Sequence, residues 1–316
     1  MLSLITRAAT LLKIVLVIQL IAAIGIVSLF VPDMGSAVNL GAWPLTALWV
    51  ALAFIAIRVT IVAIQFLITT LAASSTPQGH RLGLASALTT FWHECTASLT
   101  SFVWTMPFRS GVTMPQPNQT GVAIKIPVLL IHGYGCNRGM WRHFAQGLAD
   151  NGHPNEAINL EPVLGSIDDY VKDIEAGVTS LLQRTGAQQV ALVAHSMGGL
   201  ASRAFMSQST LIQNNRIAKI ITLGTPHQGT VLAIAGQGTN TKQMRRKSIW
   251  LKKLSEHERS TDIDKLVCIL SHQDNIAAPQ SDQFVKGAKV IEMSAIGHVA
   301  MAYSPKTLAL VCQELA

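Results

Sequence analysis

Charge is scarce in this sequence: Asp, Glu, Lys and Arg make up 13% of its 316 residues, hydrophobic residues make up 49%, and the mean hydropathy is +0.37. That balance excludes a disordered chain, which needs few apolar residues and many charges. Cysteine is scarce too. Cys95, Cys136, Cys268 and Cys312 are widely spaced and form no Cys-x-x-Cys pair, which excludes a disulfide framework and a zinc ribbon. No His/Asp/Glu set has metal-ligand spacing along the chain, so no metal and no cofactor is expected. The net charge is +7, yet only 5 of the 24 Lys and Arg lie in residues 1–120 and the other 19 face 15 acids in 121–316. Such a modest excess gives no reason to expect nucleic acid.

What is abundant is apolar sequence at the N-terminus. Ile14 to Val31 runs for 18 residues with Gln19 as its most polar member, long enough for a transmembrane helix. A cleavable signal peptide is the competing reading, but the run exceeds a signal core and a second apolar stretch follows from Leu45 to Ala73. This second stretch is about 45 Å long as a helix and carries Arg58 in its middle. Arg58, Gln65 and Thr69 share one helical face, so the stripe can turn toward a partner helix or a soluble domain. Alternatively the span ends near Arg58 and the remainder lies at the interface. Arg7 and Lys13 precede the first span, Pro32–Trp43 between the spans has neither Lys nor Arg, and Arg81 and Arg109 follow the second. The expectation is a multi-pass inner-membrane protein with both termini on the cytoplasmic side.

Residues 1–75 thus read as a transmembrane helical hairpin. Residues 76–120 read as a linker with an interfacial or docking helix around Phe91, Trp92, Phe102 and Trp104, bounded by turn-rich sequence. Asn118-Gln119-Thr120 fits a glycosylation pattern and is read as linker. From residue 121 the pattern changes. Apolar runs at Pro127–Ile131, Ala157–Leu160, Val190–Ala194, Ile217–Leu223, Leu266–Leu270 and Val290–Met293 alternate with helical segments, the pattern of a parallel sheet with crossover helices. Functional residues of such sheets gather after the carboxyl ends of the strands.

Four of those strand ends carry chemistry. Ala194-His195-Ser196-Met197-Gly198-Gly199 sets Ser196 between small residues at a strand-to-helix turn, with Ala194 where glycine is usual. Taken alone, it reads equally well as a Gly-rich turn. His132-Gly133-Tyr134-Gly135 follows the first strand, Asp274 the fifth and His298 the sixth. The order Ser196, Asp274, His298 supplies a nucleophile, an orienting acid and a general base. The backbone N–H groups of Tyr134 and Met197 are the expected oxyanion donors. Asp264 and Asp282 are the runner-up acids, since neither directly follows a strand. Cys136 has no nucleophile turn around it, and His132, His195 and His227 read as structural turn residues.

With these motifs and Leu223-Gly224-Thr225-Pro226-His227-Gln228-Gly229-Thr230, the chain from about Pro127 to Glu314 resembles bacterial α/β-hydrolases of the lipase and esterase kind. Within them, His132-Gly-Tyr-x-Cys-Asn-Arg-Gly139 is similar to a group of proteobacterial membrane-anchored hydrolases. The resemblance implies an α/β-hydrolase fold with a mostly parallel sheet, here preceded by the two-helix hairpin. It also implies hydrolysis of carboxylic esters without an organic cofactor, and a lid, about 230–264. Calcium, found in many secreted lipases, is not carried over, because no acidic residue lies beside His298. The lid's basic residues, among them Lys252 and Lys253, with Trp250 interleaved, fit contact with anionic lipid and equally a solvated helix packed by its apolar side. The expected partners are a membrane lipid or acyl-ester substrate and the bilayer. A thioesterase or acyltransferase with the same triad is the alternative in chemistry, and a non-catalytic membrane scaffold the alternative in class.

Overall fold

A computed structural model of the chain describes residues 7–30, 43–117 and 125–316. The expected linker residues 118–120 and the loop at 32–42 lie outside the described residues. Six strands form one sheet in the order β2-β1-β3-β4-β5-β6: β1 Val128–Ile131, β2 Asn155–Ile158, β3 Val190–His195, β4 Ile217–Leu223, β5 Leu266–Ser271 and β6 Lys289–Met293. Every neighbouring pair is parallel. The expected second strand is corrected by two residues. Asn155 already pairs with Val128, and Leu160 has left the sheet to donate its N–H to His132 Nε2 at 3.0 Å.

The strands β1 and β3 are buried throughout, as a sheet covered on both faces requires. Period-two alternation divides their side chains between two cores. Leu129 and Ile131 face one core with α5 (Val171–Thr185), α6 (Met197–Gln208) and α7 (Ile249–His257), which lies in the expected lid segment. Val128 and Leu130 face the other with α4 (Arg142–Asp150) and α8 (Pro305–Leu315). Chain order reverses at β1, with β2 on one side and β3 on the other, so β1 and β3 flank the switch point where such sheets open a crevice.

Ahead of the sheet lie three helices, α1 (Ala8–Phe30), α2 (Trp43–Leu71) and α3 (Leu84–Leu99). The first two are long and apolar enough to cross a membrane. After α3 the backbone passes through a π-helical turn, Thr100–Thr105, into a short helix Met106–Arg109. Ala97, Met106 and Met114 are buried in the second core, so this segment forms part of the α/β domain's interior. A buried side chain of methionine size contributes roughly 1.5–3 kcal/mol. The polar stripe on α2 faces protein. Arg58 is 8% exposed, with Nη1 3.4 Å from Gln19 Oε1 of α1, Nη2 3.5 Å from Ser98 Oγ of α3, and its guanidinium over Phe102.

Candidate active site

Strand β3 turns into α6 at Ser196, whose backbone lies at φ 56°, ψ −128°. Positive φ in a non-glycine residue costs free energy and persists only where the surroundings enforce it. Glycines supply the enforcement, because they let neighbouring backbone close around the turn. A Cβ on Gly198 would lie 2.6 Å from both the Ile131 and His132 carbonyl oxygens. One on Gly199 would lie 2.1 Å from Thr225 Oγ1. The Thr225 hydroxyl donates to the Ser196 carbonyl at 2.9 Å, and the Ser196 N–H donates to Leu223 O at 2.9 Å. The Gly-Thr-Pro-His segment thus fastens the serine turn from beneath, a role that the sequence pattern left unassigned.

The loop after β1 passes directly over this turn. A Cβ on Gly133 would sit 2.7 Å from Ser196 Cβ and 3.3 Å from its Oγ, which brings the following residue, Tyr134, beside the serine. The Tyr134 hydroxyl donates to Gln237 O at 2.9 Å, tying the loop to the lid. Met197 opens α6 and is buried. His132 and His195 are structural, as expected. His132 Nδ1 donates to Gly133 O and its Nε2 accepts from Leu160, while burial pushes its pKa down to about 4. Burial, aided by the His298 charge, takes His195 down to about 3, and its Nε2 donates to the His298 carbonyl at 2.9 Å. Cys136 is buried and its thiol is pushed up to about 12, far from a thiolate nucleophile.

His298 Nδ1 lies 2.8 Å from Asp274 Oδ2. The other Asp274 oxygen accepts the N–H groups of Ile276 and Ala277 at 2.8 and 2.7 Å, so the carboxylate is fully engaged. A carboxylate acceptor fixes the proton on Nδ1 and leaves Nε2 as the basic nitrogen. Burial alone lowers the His298 pKa, but the Asp274 charge, its hydrogen bond and the Glu94 charge outweigh that and hold it above the ordinary imidazole value. The His298 ring lies against that of His195, the residue before Ser196, with centroids 4.5 Å apart. Neither runner-up acid is near. Asp282 pairs with Arg246 at 2.7 Å, and Asp264 is exposed.

In the expected lid segment, Leu251 and Leu254 pack into the first core, while Ile234 and Ile249 are exposed at 71% and 75%. The apolar face of α7 is therefore occupied, as in a solvated helix packed by one side. Ser196 itself is 9% exposed. The fold also joins residues that spacing along the chain did not. His80, His272 and Glu292 bring their donor atoms within 4.8 Å of one another, with His272 Nε2 2.8 Å from Glu292 Oε2. Such a set could share a cation, although this His–Glu pair already satisfies one donor and one acceptor.

The PGAP1-like alpha/beta domain family matches residues 163–286, which include Ser196 and Asp274. Triacylglycerol lipases of Pseudarthrobacter phenanthrenivorans and Burkholderia plantarii are each 31% identical over 124 residues. Those stretches are 36% of this chain and 37% and 33% of the lipases, so the chain matches about a third of their length. Among solved structures, the mature lipase BlEst2 of Bacillus licheniformis superimposes with a TM-score of 0.55 at 17% identity, over 64% of this chain and 96% of that one. Aspergillus fumigatus lipase B gives 0.50 at 14%, over 62% and 54%. The structural likeness is one of fold.

Proposed function

We propose that this chain, which belongs to the α/β-hydrolase superfamily and is lipase/esterase-like, hydrolyses carboxylic esters of lipid-like acyl groups at a membrane surface. The observation that carries the reading is the Asp274–His298 pair at 2.8 Å, set beside a Ser196 turn of positive φ. Ser196 Oγ attacks the ester carbonyl while His298 Nε2 takes its proton. The negative charge that develops on the carbonyl oxygen is received by the N–H groups of Tyr134 and Met197. His298 returns the proton to the departing alcohol, leaving an acyl-Ser196. Water, deprotonated by the same imidazole, releases the acid. Asp274 holds the ring in the tautomer that serves both steps and stabilises the imidazolium. The lipase relatives support an ester substrate.

The membrane setting rests on α1 and α2 together with the aromatic and basic side chains near their α/β-domain end. Lys13 lies over Phe108 and Arg109 over Trp104, and Trp92, Trp104 and Phe108 are each 54% exposed, a grouping typical of a membrane–water interface. The charge bias of Arg7, Lys13, Arg81 and Arg109 supports a reading with the α/β domain on the cytoplasmic side of an inner membrane. The segment 230–264, tied to Tyr134 through Gln237, is the lid of this reading and opens where substrate is concentrated in the bilayer.

A fluorophosphonate probe tests the chemistry. The detergent-solubilised full chain should be labelled at Ser196 and should hydrolyse p-nitrophenyl butyrate, and Ser196→Ala should do neither while keeping its melting temperature. Labelling that persists in Ser196→Ala would overturn the reading. A phosphatase reporter fused after Ala316 should be silent outside the cytoplasm, and an active one would reverse the orientation.

A further inference from the structure

Glu94 lies on α3 with its carboxylate fully buried, outside the set of residues that the proposed mechanism uses. Its Oε1 accepts the Val299 N–H at 3.0 Å and its Oε2 the Ala300 N–H at 2.8 Å. These are the first two N–H groups of a 3-10 turn, Val299–Tyr303, whose N-cap is His298 and has no side-chain cap of its own. A carboxylate at that place satisfies donors that no carbonyl of the turn can reach and favours the positive end of its dipole. The far end of the same turn is held by the same segment. Tyr303 OH is 2.7 Å from Ser101 Oγ and 3.4 Å from Thr105 Oγ1, both in the π-helical turn that continues α3. The residue before His298 is shaped to the same carboxylate, since a Cβ on Gly297 would lie 2.5 Å from Glu94 Oε2.

The catalytic domain has a matching receptor for this segment. Asn137 Nδ2 donates to Met106 O at 2.8 Å and Arg138 Nε to Ser110 O at 2.6 Å, while a Cβ on Gly139 would lie 2.6 Å from Thr105 O. The Asn-Arg-Gly part of the 132–139 signature is thus explained by docking of the segment after α3. One loop, following the oxyanion residue Tyr134, and one helix, reaching the His298 turn, meet along the same seam.

We propose that Glu94 is a positioning residue for His298: it fixes the turn on which the imidazole is carried and adds a negative charge behind it, so that the membrane-linked helix α3 is part of the catalytic apparatus. This rests on the assignment of His298 as general base. Every handle on His298 is then accounted for. Its N–H donates to Asn275 Oδ1 at 2.9 Å, its carbonyl accepts from His195, its ring is oriented by Asp274, and the two N–H groups after it are held by Glu94. The titratable groups facing the imidazole are Asp274 from the loop after β5, Glu94 from α3 and His195 from the end of β3, the last neutral across the working range. Burial raises the Glu94 pKa, opposed by the two backbone donors and by His298.

The test compares the full chain with Glu94→Gln and Glu94→Asp in detergent. The His298 imidazole is followed by 13C NMR of ring-labelled histidine, and kcat and KM are measured on p-nitrophenyl butyrate for the fraction that melts cooperatively. Glu94→Gln, which keeps the shape and removes the charge, should titrate His298 at lower pH and lose at least tenfold in kcat with KM within twofold. Glu94→Asp, which keeps the charge on a shorter arm, should leave the titration within a few tenths of a unit and still lose kcat. Should Glu94→Gln fail to fold, Glu94→Asp decides, and native kcat in it overturns the proposal. An unmoved His298 titration in folded Glu94→Gln also overturns it. The titration does not need turnover, so a native chain that ignores the fluorophosphonate would refute the hydrolase reading while the NMR result still judges Glu94.

Discussion

Asn275 Nδ2 donates a hydrogen bond to Gln65 Oε1 on α2 at 3.1 Å, while Asn275 Oδ1 accepts the His298 N–H at 2.9 Å. One amide therefore bridges the second apolar helix and the loop of the proposed base. A buried donor that loses its acceptor to an apolar group costs about 1–3 kcal/mol. Gln65→Leu should lower kcat on p-nitrophenyl butyrate several-fold through the loosened His298 backbone. Deleting residues 1–75 admits water to Asn275 and should be milder on this soluble ester, within about fivefold, while turnover of long-chain esters in vesicles falls at least tenfold, because tethering raises the local concentration of substrate and catalyst. Equal losses on both substrates would mean that the hairpin supports the fold of the α/β domain more than it delivers substrate.

The three candidate acids separate by what each one touches. Asp274→Asn should cost roughly 10³–10⁴ in kcat, since an amide facing Nδ1 favours the wrong imidazole tautomer. Asp282→Asn removes the pairing with Arg246, whose side chain is 42% exposed, and weakens a 3.4 Å bond from Ser281 Oγ; it should cost about 0–1 kcal/mol of stability with kcat within twofold. Steady-state kinetics with thermal melts of both variants checks this. A crippled Asp282→Asn with an active Asp274→Asn would transfer the role of the acid.

The sheet and the strand-end residues were legible because local pattern dictates them. Apolar runs of strand length with small residues at the β3–α6 turn leave few alternatives, and Asp274 and His298, which the fold pairs, stand just past the ends of their strands. What escaped was everything carried by long-range contact. Glu94 is the sole acid between Asp33 and Asp150. A lone acid in so apolar a stretch was the available signal, but its partners are 205 and 206 residues away. The same holds for Thr225 beneath Ser196 and for His80 with His272. The Arg58 stripe was visible as a helical face, yet only the fold shows that it meets Gln19, Ser98 and Phe102. β2 was placed two residues late because its first residues, Asn155 and Glu156, are polar, while Leu160, apolar like a strand residue, leaves the sheet to pair with His132.

The raised pKa of His298 sets the direction of the pH profile. The base must be neutral to accept the Ser196 proton, so kcat/KM should fall as pH drops through this pKa, and the acid limb should lie above the ordinary imidazole range. Asp274→Asn removes the charge and the hydrogen bond that do most to raise it, leaving burial to lower it against the Glu94 charge alone, so the residual activity should show an acid limb at lower pH. A kcat/KM profile for p-nitrophenyl butyrate from pH 5 to 9 reads both. For stability the sign is opposite to that of activity. A histidine with a raised folded pKa stabilises the fold below its unfolded pKa, and this contribution is lost as pH rises through the folded value. Loss of melting temperature as pH rises from the ordinary imidazole value through the raised one should therefore accompany the gain in activity, and be absent in Asp274→Asn.

Arg203 and Glu258 join α6 to the end of the lid helix α7 through two bonds, Nε to Oε1 at 2.5 Å and Nη2 to Oε2 at 2.8 Å, with side chains only 3% and 2% exposed. Arg203 Nη1 also donates to the His227 carbonyl at 2.8 Å, so one guanidinium holds the lid, the helix that begins at Met197 and the Gly-Thr-Pro-His segment beneath Ser196. Removing one partner strands the other as an unpaired buried charge, which costs roughly 3–5 kcal/mol, whereas replacing both with apolar residues of similar size is often near neutral. Arg203→Met should therefore destabilise strongly, Glu258→Leu should do likewise, and the double variant should recover most of the loss. The recovery in Arg203→Met/Glu258→Leu is limited by the His227 carbonyl, which still lacks its donor and should retain about 1 kcal/mol of the deficit. Urea unfolding of the four proteins in one detergent measures this cycle. Additive losses in the double variant would show that the two side chains act independently and that the lid is held by Leu251 and Leu254 alone.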